Sequence, residues 1–110
     1  MKYIIPQDKV DKVVFKYLDL KHFEKKKPKY LEGIVFEYPD EDFGILGWEN
    51  NGTLHIYNKL INEISSVFGL DKYDVESIIS RWVRDRFQLE VRNTIGHFRR
   101  RNQWLEIDTN

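Results

Sequence analysis

Residues 61–80, INEISSVFGLDKYDVESIIS, carry the spacing that decides the fold. With Gly69 as a turn glycine, Ile64, Phe68, Leu70, Val75 and Ile78 stand where two short helices need apolar residues to pack across a tight corner, and Ser65 supplies a small residue at their approach. The first of these helices is expected over about 58–68, with Leu60, Ile61, Ile64, Val67 and Phe68 inward and a left-handed Gly69 as its stop. The second opens on Asp71, whose carboxylate can cap the first turn, and runs to about Gln88, burying Val75, Ile78, Ile79, Trp82, Val83 and Phe87. Its outward early positions are Asp71, Lys72, Tyr73, Glu76, Ser77 and Ser80. Base reading comes with phosphate anchoring by cations or amides, and Asp71 and Glu76 oppose it, so the corner reads as structural.

Upstream the period shortens from helix to strand. Leu31–Tyr38 (LEGIVFEY), Phe43–Glu49 (FGILGWE) and Thr53–Tyr57 (TLHIY) are β-branched or aromatic runs separated by Pro39-Asp40-Glu41-Asp42 and Asn50-Asn51-Gly52. A three-stranded antiparallel meander follows. A two-residue Asn51-Gly52 loop would mix polar and apolar residues on both faces. A three-residue loop with Gly52 left-handed pairs Trp48 with Leu54 and Leu46 with Ile56, which separates them. Carried back through a four-residue first turn, Val35 joins Leu46, Trp48, Leu54 and Ile56 on one face. Ile34, Phe36, Tyr38, Phe43, Ile45 and Tyr57 take the other. Two apolar faces need two covers: a helix on one side and the helical pair on the other, or a second copy of the chain.

Asp8 to about Phe23 places Val10, Val13, Val14, Tyr17 and Leu18 at helical spacing with lysines on the other side and Pro6 just upstream, an amphipathic first helix. Glu24–Lys29 (EKKKPK) is charged and proline-broken and reads as a linker. At the other end, Leu89–Arg92 and Trp104–Asp108 read as two short strands of a C-terminal hairpin whose loop holds Gly96, Phe98 and three arginines. A helical corner followed by a hairpin with a basic tip resembles the winged-helix arrangement over about 58–108, in which the wing lies along a nucleic-acid backbone. The meander here stands where that family has a single strand.

The basic residues are segregated by type. Every one before position 80 is lysine, and all 7 arginines lie between Arg81 and Arg101. With only Asp85 and Glu90 against them, that segment is locally about +5. Arginine grips phosphate and carboxylate bidentately, so Arg81, Arg84, Arg92, Arg99, Arg100 and Arg101 are the candidate phosphate- or partner-binding residues. The alternative for the terminal arginines is to answer surface carboxylates such as Asp40, Glu41 and Asp42. The chain as a whole has a net charge of zero and lacks the long-range field of a dedicated nucleic-acid binder.

Composition bounds the rest. With 110 residues, 41% hydrophobic and 15% aromatic, the expectation is a single α+β domain over 1–110 that folds without metal or disulfide, there being no cysteine. The N-terminus has too short an apolar run before Pro6 for a signal or a span, which points to a cytoplasmic protein with no membrane partner. His22, His55 and His97 match no metal-ligand spacing, and the serines at 65, 66, 77 and 80 have no histidine at a fixed offset. His55 reads as a sheet histidine and Asp40-Glu41-Asp42 as a solvated turn. No catalytic residue, metal site or cofactor is expected. The leading expectation is a non-catalytic protein-interaction or structural module that binds a protein partner or self-associates. The runner-up is a winged-helix-like nucleic-acid-binding domain that sets Arg92, Arg99, Arg100 and Arg101 on phosphates.

Overall fold

The structure, a computed structural model, describes residues 7–28, 32–39 and 45–97. Three helices and five strands follow one another as α1 (Gln7–Asp19), β1 (Glu24–Lys26), β2 (Gly33–Glu37), β3 (Leu46–Glu49), β4 (Thr53–Tyr57), α2 (Asn58–Phe68), α3 (Lys72–Phe87) and β5 (Asn93–His97). The strands form one sheet in chain order, antiparallel from β1 to β4 and parallel between β4 and β5. The architecture is mixed α+β, with more sheet than the three expected strands.

The corner forms at the residues whose spacing announces it. Gly69 ends α2 at φ 64°, ψ 35°, and its N–H bonds the Ser65 carbonyl, closing the last turn. Ser65 Oγ donates to the Leu70 carbonyl at 2.6 Å, fixing the exit of the chain. Asp71 caps α3 by accepting the Tyr73 N–H at 2.8 Å. The second hairpin also takes the expected register: Trp48 pairs with Leu54 and Leu46 with Ile56, through a turn in which Gly52 has φ 93° and donates to the Glu49 carbonyl.

Four expectations need correction. Glu24–Lys26 is not a linker but a three-residue strand, paired with β2 through Glu24 opposite Glu37 and Lys26 opposite Val35. Its side chains have no strand propensity. What forms it is the row of backbone donors and acceptors that β2 would otherwise leave unmet. The first helix ends at Asp19 rather than near Phe23, because the backbone at His22 turns to φ 52° before the chain enters β1. Leu89–Arg92 is not the first strand of a hairpin. The chain leaves α3 through Gln88 at φ 58°, crosses back over 89–92, and becomes extended only at Asn93, where it lies parallel to β4. The expected partner strand, Trp104–Asp108, lies outside the described residues.

The fourth correction concerns faces. Phe36 pairs with Leu46 and Ile34 with Trp48, one residue away from the expected β2 register, so Ile34 and Phe36 join Leu46, Trp48, Leu54 and Ile56. One cluster joins this face to Val14 and Leu18 of α1, Leu60, Ile61 and Ile64 of α2, and Val75, Ile78, Ile79, Trp82 and Val83 of α3. All three helices therefore contribute to a single core on one side. Slipping a strand by one residue exchanges its faces, and Val35 moves to the other side with Tyr57, Glu37 and His55, where each is buried. That second face is mixed rather than apolar.

Replacing Gly69 tests the corner. A Cβ there would meet nothing within 4 Å, so the cost of substitution is conformational alone. Gly69→Val should destabilise by about 1–3 kcal/mol in urea unfolding, whereas Gly69→Asn, which tolerates the left-handed region, should cost clearly less. Equal losses for both would remove the conformational argument.

Candidate functional site

The arginine-rich segment begins on α3, and its described members are drawn to different elements. Arg81 reaches α1: Nε and Nη2 donate to the two carboxylate oxygens of Asp11 at 3.0 and 2.9 Å, and Nη1 donates to Ser77 Oγ at 2.7 Å. Arg86 also reaches α1, gripping Asp19 through Nε and Nη2 at 2.9 to 3.2 Å and pairing with Asp85. Trp82 Nε1 donates to the same Asp19 oxygen at 2.9 Å. The Arg86 hydrogen bonds, with that from Trp82, hold the Asp19 carboxyl below the usual carboxylate range against a smaller opposing push from burial.

Arg84 turns the other way and donates from Nη2 to the Val91 carbonyl at 2.7 Å, tying the end of α3 to the strand-bound connector. Arg92 sits on that connector beside the β3–β4 turn, its N–H bonded to the Gly52 carbonyl and its guanidinium to Glu90 at 3.1 and 3.3 Å. The Arg92–Glu90 pair is exposed on both sides and adds little stability. Arg99, Arg100 and Arg101 lie outside the described residues. Arg86, like Arg81, holds a carboxylate of α1 through two nitrogens, yet the sequence does not single it out as a candidate. Its spacing of four from the inward Trp82 was the available signal, since that offset puts both on one side of the helix.

A second polar cluster joins elements that no sequence spacing connects. Glu63 of α2 accepts hydrogen bonds from Tyr17 of α1 and from Tyr38, one on each carboxylate oxygen, and pairs with Lys21. The Lys21 ammonium lies over the Tyr17 ring at 4.7 Å and the Tyr38 ring at 5.5 Å, while Lys59 approaches Tyr38 at 5.3 Å. Burial alone would raise the Glu63 pKa. The hydrogen bonds from Lys21, Tyr17 and Tyr38 together outweigh it and hold the carboxyl low. A carboxylate kept ionised with both oxygens occupied is a poor general base, and the cluster acts as a clasp between α1, α2 and the end of β2.

The second sheet face holds the other polar group of interest. His55, only 4% exposed, places Nε2 2.6 Å from Glu49 Oε2 within the β3–β4 hairpin, and Glu37, also 4% exposed, faces Lys26 at 3.6 Å. His55 does lie on the Tyr57 side, as the strand alternation implies. Among the described residues no group of three or more His, Asp or Glu is placed to hold a metal ion. At the helical corner, Asp71, Lys72, Tyr73 and Asp74 are exposed, and Glu76 is half-buried with its pKa raised by burial. Ser80, expected outward, is buried and accepts from Thr94 at 3.4 Å, because β5 packs against α3 there. No family model, curated protein or solved structure matches the chain.

The clasp has a pH signature. Because the folded Glu63 pKa is depressed, its contribution is complete above the unfolded carboxylate pKa and is lost as pH falls through the folded value. Glu63→Gln should therefore cost about 1–3 kcal/mol at pH 7, and the gap to the parent should narrow as pH falls below about 4. Urea unfolding of both proteins across that range checks it.

Proposed function

We propose that this chain is a small non-catalytic module that works through protein contacts or as a structural element, and that its arginine segment is not a phosphate-reading surface. The supporting observation is that Arg81, Arg84, Arg86 and Arg92 each have an internal partner: Asp11, the Val91 carbonyl, Asp19 and Glu90. To bind phosphate, Arg81 and Arg86 would first have to release α1, which charges that cost to every binding event. The exposed start of α3 adds Asp71 and Asp74, which repel a polyanion.

The surface favoured for protein contact is the α2–α3 corner. Val67 before the turn, which the spacing puts inward, is instead 54% exposed, and Tyr73 after it is 76% exposed. An exposed amphipathic tyrosine, flanked in the chain by Asp71, Lys72 and Asp74, and an exposed aliphatic residue on the preceding helix suit a protein partner with an apolar surface of its own. The winged-helix reading fits less well, since β5 enters the main sheet beside β4 instead of opening a free-standing wing.

Gel filtration with light scattering, run with and without a short DNA duplex at low salt, separates the two readings. The expected result is no co-elution with the duplex, and a Tm lowered by Arg81→Ala and Arg86→Ala but unchanged by the combined replacement of Arg99, Arg100 and Arg101 with alanine. Salt-sensitive duplex binding that this triple variant abolishes would reverse the ranking.

A further inference from the structure

The outward side of α1 differs from the sequence expectation in one residue that changes its chemistry. The helical spacing puts Val13 inward with Val14, but it is 52% exposed, and Leu20 just past the helix end is 64% exposed. At about 100° per residue, Lys9, Lys12, Val13, Lys16 and Leu20 fall within one arc of about 100° on the helix wheel. The turn persists through Leu20, whose N–H bonds the Lys16 carbonyl. Lys9, Lys12 and Lys16 are all exposed, and none makes an ion pair among the described residues.

The two acids of this helix whose side chains are described lie elsewhere. Asp11 points to the opposite side and is held by Arg81, while Asp19 at the margin is held by Arg86 and Trp82. Inside the arc there is cation and aliphatic carbon without carboxylate. The inner side, through Val14 and Leu18, is buried in the core, so the arc is presented by a helix that the fold keeps rigid.

We propose, in place of the expectation that the chain has no membrane partner, that this arc of α1 docks on an anionic lipid surface, with Lys9, Lys12 and Lys16 at the headgroups and Val13 and Leu20 entering the interface. Two features select lipid over nucleic acid. Exposed aliphatic side chains add to membrane binding in proportion to their buried area, whereas a phosphate backbone gives them nothing to enter. The stripe's three lysines also lie on a single short helix, whereas a duplex calls for a longer basic track. No described helix is long and apolar enough to cross a membrane, and a helix lying in the interface needs no such length. The proposal is independent of the contact surface at the α2–α3 corner.

Sedimentation of the full chain with vesicles tests it, using phosphatidylcholine alone and phosphatidylcholine with about one third phosphatidylserine. The wild type should pellet with the anionic vesicles at low salt, and not with phosphatidylcholine alone. Combined Lys9→Gln, Lys12→Gln and Lys16→Gln should reduce the partition coefficient about tenfold or more. Val13→Ser with Leu20→Ser should reduce it several-fold at unchanged charge. All five positions are exposed, and an unchanged Tm confirms that the variants remain folded. Failure of the wild type to pellet with anionic vesicles overturns the proposal, as does binding that the lysine variant retains. Binding that depends on the lysines but ignores Val13 and Leu20, and that a DNA duplex competes away, overturns it in favour of a phosphate-binding face.

Discussion

The parallel pairing of Thr53–Tyr57 with Asn93–His97 is the constraint around which the chain is arranged. Antiparallel neighbours can be joined by a few residues, but a parallel neighbour requires the chain to return to the end from which it started. Residues 58–92 make that return, and α2 and α3 are its two limbs. The left-handed Gly69 turns the chain from one limb into the other, and Gln88, left-handed in turn, ends α3 before the chain enters β5. The corner thus serves the sheet topology before it serves any ligand.

The first helix is a different kind of attachment. Its buried Val14 and Leu18 contribute about 3–6 kcal/mol of apolar burial, more than partly exposed ion pairs supply at about 1 kcal/mol each. Packing seats α1, and the polar ties decide how it is turned. Asp11 to Arg81 and Asp19 to Arg86 run along the side facing α3, while Tyr17 and Lys21 reach Glu63 on α2. With both sides fixed, the remaining arc of the helix has one orientation towards solvent.

How far the sequence alone could be read follows from where each interaction sits along the chain. Gly69, Asp71 and the Asn50–Gly52 turn act over a few residues, and local chemistry named all three. The β2 register depended on a turn length between Tyr38 and Leu46 that no residue type specifies, and an error of one residue there exchanged Val35 for Phe36. β1 and β5 were missed because neither has the composition of a strand; both exist through backbone pairing with a neighbour already in place. Among the candidate site residues, clustering by residue type grouped Arg81, Arg84 and Arg92. Geometry separates them, because Asp11 lies 70 residues from Arg81 and composition carries no record of that meeting. The Glu63 clasp, built across 25 and 46 residues, was invisible for the same reason.

The short charged strand β1 has a consequence for how the molecule behaves in company. It forms one margin of the described sheet, and its three side chains, from Glu24, Lys25 and Lys26, are all exposed. A sheet margin is a template on which another chain can add a strand, and long apolar margins of that kind seed aggregates. Here the template is only three residues long and carries two lysines. Brought together antiparallel, two such margins would set Lys25 against Lys25, flanked only by two exposed Glu24–Lys26 pairs that add little. The segment whose composition argued against any strand is therefore well suited to end a sheet, letting β2 satisfy its backbone while discouraging growth from that side.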